Sequence, residues 1–350
     1  MKTRQYNMDY LRIFACFMVI FLHVAAQNWN VADINTWEWK VFNLYDTAVR
    51  SSVPLFLMLS GKLLLSTSKE LSIKHFYTKN ILKLVIVYFS WAFFYAIDTI
   101  GMKKIFISNS FVTIFEKIVN AKFHLWYLPM LISIYFLVPV FFSLVKYKDG
   151  IYVPYACIMF ILFGIGGTLT VMLFPESETV KTFLNDFNYA LSGYSGYFLL
   201  GYTLDKYKDR FHKAKIPYIL AFLILTILAT AKKSEIDSIS AGEPLSTLWG
   251  DFTVPTFLET VLIFMIFLKL PEQIENHKIA VIIKKLSKYT LFVYLLHPFI
   301  LEHLKTWFKI TTLSFNPWLS VPFLTLFIFL ICMAIAWIAD KIPVLNKWLM

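Results

Sequence analysis

The chain has 350 residues, of which 58% are hydrophobic, 18% aromatic and only 16% charged. A soluble domain is about 45–50% apolar and about 25% charged, so this composition excludes an ordinary cytosolic enzyme, a disordered chain and a secreted mini-protein, while long unbroken apolar runs exclude an outer-membrane barrel. The formal charge of +11 would suggest nucleic acid in a soluble protein; here it reads as the basic cytoplasmic face of a membrane protein, with the lipid bilayer and no nucleic acid as partner.

Ten apolar segments are predicted to cross the bilayer as helices, near 10–28, 42–65, 82–100, 124–144, 151–174, 187–204, 216–231, 252–270, 289–307 and 318–340. Only a helix satisfies its own backbone in hydrocarbon. The first run has no small-residue cleavage site and reads as a span, not a leader. Pro54, Pro129 and Pro298 fall in the second, fourth and ninth segments and are expected to kink them. The sixth, rich in Gly, Ser and Tyr, is expected to face other helices. With the N-terminus inside, most of the 33 Lys and Arg residues fall in cytoplasmic segments, which predicts both termini cytoplasmic. The fold class is therefore an all-α polytopic bundle, read as one domain over 1–350. The loops are short, so an active site must be built largely from the helices. Cys16, Cys157 and Cys332 lie in apolar runs without metal-ligand spacing, and neither a disulfide framework nor a metal site is expected.

Ionisable groups inside a membrane segment are functional-site candidates by default. Arg12 sits at the cytoplasmic entrance of the first segment and His23 eleven residues later. That spacing is three turns plus ~20°, which puts both on one face about 16 Å apart. Asp9 is placed to orient Arg12 through an i,i+3 pair. A snorkelling arginine and a hydrogen-bonded histidine would give the same pattern without function.

The Arg-x10-His pattern on a segment beginning MDYLR resembles the acyltransferase-3 family of integral membrane acyltransferases. SSVPLFLMLSGKLLL at 51–65, FHLWYLPMLISIYFLVP at 123–139 and YTLFVYLLHPFI at 289–300 are similar to further signatures of that family, in the same order and across almost the whole chain. One departure is the run KHFYTKNILK, which carries Lys74, Lys79 and Lys83 where members commonly carry arginines; lysine keeps the charge but loses bidentate phosphate binding.

The resemblance implies transfer of an acyl group, usually acetyl from acetyl-CoA as co-substrate, to a hydroxyl of a carbohydrate or glycolipid acceptor at the plasma membrane, with no bound cofactor. Arg12, Lys79 and Lys83 are then placed to bind the polyanionic donor. His23 is the candidate general base or acyl carrier. Ser60, Trp126 and Tyr127 are candidates for the cavity or for stabilising the thioester oxygen. His124 is a candidate acceptor contact, against the plain alternative of an interfacial aromatic belt. His297 either lines the cavity or is a buried, satisfied histidine. Lys62 either snorkels inward or lines the donor cavity, and Asp98 and Glu259 are the acidic residues nearest membrane depth. His303 reads as structural; His75, His212 and His277 read as solvated. The competing class is a transporter of an envelope glycan or lipid-linked intermediate, which lacks support from repeated halves. The segments near 27–50 and 232–251 are the natural places to read the acceptor.

Overall fold

The computed structural model describes residues 4–67, 70–105, 111–120, 122–174, 177, 193–211 and 213–349. Among them every regular element is helical. Eight helical stretches are long and apolar enough to cross a membrane: Tyr6–Ala26, Trp37–Leu65, Ile73–Ile100, Phe123–Gly150, Val153–Leu173, Ile216–Ala241, Thr247–Lys269 and Pro317–Ala339. The start of the expected 187–204 segment and His212 lie outside the described residues.

The chain divides into two compact units, one of 1–66 with 144–334 and one of 67–143 with 335–350. The first contains α1 (Tyr6–Ala26), α2 (Trp37–Thr47) and α3 (Ser52–Leu65). It continues with α4 (Val153–Leu173), α5 (Tyr194–Lys206), α6 (Ile216–Ala241), α7 (Val254–Lys269), α8 (His277–Phe308) and most of α9 (Pro317–Ala339). Helix α1 packs on α2, α3, α7 and α8, and α3 packs most extensively on α5. That last contact needs bare backbone. A Cβ on Gly61 would strike the Phe198 carbonyl, and one on Gly201 would strike the Met58 carbonyl, the small-residue packing by which membrane helices approach closely without a hydrophobic drive. The second unit contains the helix Leu82–Ile100, with Phe111–Val119 and Pro343–Leu349 against it.

Four expectations change. The segment 42–65 is not one helix: α2 ends at Thr47, the chain turns over residues 48–51, and α3 starts at Ser52. Pro54 lies in the first turn of α3, where its missing N–H would have had no helical partner, so it starts a helix instead of kinking one. Pro129 likewise lies in the first turn of its helix, Tyr127–Lys146. The ninth segment is far longer than its apolar run. Asn276 caps it by accepting from the N–H groups of Lys278 and Ile279, and it continues to Phe308, with Pro298 inside. The stretch 232–241, expected as loop, is the end of α6. Pairs Lys232–Glu235 and Lys233–Asp237 support it at helical spacing, and Gly242 ends it at φ 74°.

Candidate functional site

The centre of the first unit is fixed by a proline. In α8 the N–H of residue 298 would normally bond the carbonyl of Tyr294, four residues earlier; Pro298 has no N–H, so that carbonyl is released. His297 Nδ1 takes it at 2.6 Å. A carbonyl only accepts, so Nδ1 of His297 must carry the hydrogen, and in the neutral ring its Nε2 is an acceptor. His23 Nδ1 lies 2.6 Å from that Nε2, with the two rings stacked at 9° and centroids 4.9 Å apart. His23 must therefore donate from Nδ1, which leaves the lone pair of its neutral ring on Nε2. His297 is fully buried, whereas His23 is half-buried at the end of α1. One imino acid thus sets which nitrogen of a ring on another helix is basic.

The turn between α2 and α3 supplies the second feature, and sequence reasoning missed it. Arg50 sits in that turn, with Nη2 2.6 Å from Asp46 Oδ1 and its guanidinium carbon 4.3 Å over the ring of Trp249. Its charge acts electrostatically on His23, Asp46, Asp251 and Glu259. Around it are several buried polar atoms without a hydrogen-bond partner among the described residues: Arg50 Nε, the hydroxyls of Ser51 and Ser52, Trp29 Nε1 and Glu259 Oε2. Buried polar groups in folded proteins are almost always satisfied, so this concentration around Arg50 marks a polar site.

Aromatic rings pack against it. Trp29 lies 4.5 Å from Trp249 and 6.0 Å from Trp39, centroid to centroid. Trp39 Nε1 donates to the Trp29 carbonyl, and Trp249 Nε1 donates to Thr47 Oγ1. On α5, Tyr194 donates to Asp251 Oδ2 at 2.6 Å, and Tyr197 to the Asp251 carbonyl at 2.5 Å.

The other end of α1 is polar too, but closed. Lys62 is 1% exposed; its Nζ donates to Gln5 Oε1 at 3.0 Å and lies 3.1 Å from Asp205 Oδ1. It does not reach solvent. Asp9 is held by Arg4 through two bonds and by the Ser287 hydroxyl at 2.6 Å, so its partner is not the expected Arg12. Glu272 receives bonds from Gln5 and Lys208; the Lys208 bond holds its carboxyl below the usual range, and Glu272 in turn raises Lys208. Beside this network is a cavity of about 510 Å³ between Lys208, Lys215 and Lys269, with Phe211, Ile216 and Leu268 as apolar walls.

The remaining expected site residues are dispersed. Arg12 is half-buried on α1, and Ser60 is half-buried on α3 beside the Gly61 contact. His303 bonds the Phe299 carbonyl and meets the Trp307 ring edge-on, centroids 4.1 Å apart. Lys79, Lys83, His124, Trp126 and Tyr127 belong to the second unit. There Lys79 is exposed and Lys83 half-buried, while His124 is buried with its ring edge-on to Tyr95 at 5.0 Å. Trp126 is exposed and Tyr127 buried. Asp98 is half-buried; His75 and His277 are exposed.

Residues 5–337, nearly the whole chain, match the acyltransferase-3 family model, an acyltransferase domain. No curated protein and no solved structure matches.

Proposed function

We propose a reaction for this chain from the premise that it belongs to the acyltransferase-3 family and is a multi-pass membrane acyltransferase. The reaction is transfer of acetyl from cytosolic acetyl-CoA to a hydroxyl of a carbohydrate or glycolipid acceptor at the plasma membrane. The observation that carries it is the His23–His297–Tyr294 carbonyl chain, which leaves a basic nitrogen on a half-buried ring.

In this scheme His23 Nε2 takes the proton of the acceptor hydroxyl as its oxygen attacks the thioester carbonyl carbon. Arg50 stabilises the oxyanion that develops. The C–S bond then breaks, and the proton on Nε2 returns to the departing thiolate. In a second route Nε2 itself attacks the thioester carbon and the C–S bond breaks, releasing CoA thiolate and leaving an acetyl-imidazole; the acceptor hydroxyl then attacks that acetyl carbon, the C–N bond breaks, and the hydroxyl proton ends on the freed Nε2. Trapping labelled acetyl on His23 separates the routes. The donor's phosphates need cations, and Arg12 with the lysines of the basic cavity supports their binding at the Gln5 end of α1; Lys79 and Lys83 remain proposed donor contacts.

The test uses purified protein in lipid nanodiscs with labelled acetyl-CoA. His23→Ala is expected to lower transfer by at least about 10³-fold while the melting temperature stays within a few degrees of wild type. Normal transfer by that variant would rule out the catalytic role. For Arg12→Ala the expected outcome is weaker acetyl-CoA binding; an unchanged affinity counts against a donor role.

A further inference from the structure

The acceptor segments singled out in the sequence, near 27–50 and 232–251, meet in space. Helix α2 packs on the end of α6. Asn43 donates to the Ala231 carbonyl at 2.8 Å, the Ser234 hydroxyl donates to Asn43 Oδ1 at 2.9 Å, and Lys40 pairs with Glu235 at 3.1 Å. A cavity of about 420 Å³ opens over this contact, with Trp37 on one wall and Trp318, at the start of α9, on another. The two indoles are 48% and 47% exposed, while the Glu235 side chain on the wall between them is only 14% exposed and is held by Lys40 and by Lys232 at 2.9 Å.

We infer that this cavity holds a sugar ring of the acceptor. Lipid tails would not be expected among Lys40, Lys232 and Glu235. A polyanion would meet a carboxylate whose two lysines are already engaged. A pyranose presents apolar C–H faces to indoles and a rim of hydroxyls that donate to a carboxylate and accept from ammonium groups, and a concave site with aromatic walls and a few fixed polar groups suits it.

The position also fits. Helix α2 leads from the Trp37 wall to Asp46 at its other end, with Arg50 just beyond. On the other side, Tyr45 donates to the Trp318 carbonyl at 3.0 Å and meets its ring edge-on at 5.4 Å; Tyr45 in turn meets Phe21 at 5.1 Å, two residues before His23. A sugar held here would be a neighbour of the acceptor unit whose hydroxyl reaches His23. That geometry rests on the transferase reading, but binding of a sugar does not.

The experiment is saturation-transfer NMR on the full chain in nanodiscs with two probes, N,N′-diacetylchitobiose and maltose, and glycerol as an open-chain control. Ring C–H signals of at least one disaccharide, and none from glycerol, are expected. Trp37→Ala and Trp318→Ala should each weaken binding by about tenfold, with Trp37→Phe and Trp318→Phe retaining most of it. Absence of disaccharide binding by wild type overturns the proposal, as does wild-type binding by both alanine variants, which would mark the indoles as membrane anchors only. Disaccharide binding that the alanine variants lose, in a protein that never consumes acetyl-CoA, supports the sugar site and removes the transferase reading.

Discussion

The two ends of α1 use the same kinds of residue to opposite effect. At the Gln5 end the described polar groups are matched: Lys62 with Gln5 and Asp205, Asp9 with Arg4 and Ser287, Glu272 with Lys208 and Gln5. At the His23 end Arg50 spends only part of its bonding capacity on Asp46, while Glu259 Oε2 and the Ser51 and Ser52 hydroxyls are buried without a described partner. The first end is a lock, because its buried charges, Lys62 and Asp9, would be destabilising if their neighbours left. The second is a tool, because unmatched groups are stabilising only toward something else. Counting buried charges would not distinguish the ends; counting their unmet bonds does.

Breaking each end should therefore give opposite phenotypes. After the His23 variant, the largest expected effect is at the tool: Arg50→Ala should lower transfer per folded molecule by about 10²–10³-fold; it also strands the buried Asp46 carboxylate, so the melting temperature falls too, and a loss of fold without loss of specific activity would reverse the assignment. At the lock, Lys62→Met should lower stability by about 3–5 kcal/mol, because it strands a carboxylate, and the double variant with Asp205→Leu should recover much of it. Activity per folded molecule should hold in both, measured against the fraction that survives solubilisation. A smaller effect is expected for Pro298→Ala. It supplies an N–H that competes for the Tyr294 carbonyl, so His297 loses its fixed tautomer, and transfer should fall about tenfold without unfolding; wild-type rates would show that the carbonyl is not what orients the ring.

The smallest effect is in pH. Glu272 is held below its unfolded value, so its contribution is present above the ordinary carboxylate range and is lost as pH falls through the folded value. Lys208 is raised, so its contribution is present below the ordinary lysine range and is lost as pH rises through the folded value. The wild-type melting temperature should fall slightly more than that of Glu272→Gln on acidification; parallel curves would show the pair to be idle.

Much of this was legible in the chain. The all-α membrane class follows from hydropathy, and His23 stood out because a titratable ring in an apolar run needs a reason. Arg50 did not, for a physical cause: reading 42–65 as one unbroken helix hides the turn at 48–51, which is set by packing of α2 on α1 and α6 and of α3 on α5 and which places Arg50 over Trp249. Hydropathy also misjudged α8 and α6, because it senses oil thickness, and helices with capped or charge-paired extensions run past the oil. Asp9 was assigned to Arg12 by helical spacing alone, while Arg4, before the helix, reaches it better.

The His23–His297 pair ends on an amide oxygen, and an amide oxygen is far too weak a base to accept a proton from the rings. The pair is thus a cul-de-sac. Positive charge gained at the mouth can spread over two imidazoles but has no exit at the back. Whatever His23 collects must leave by the edge at which it arrived, so a single nitrogen would serve as base in the first half of the turnover and as acid in the second.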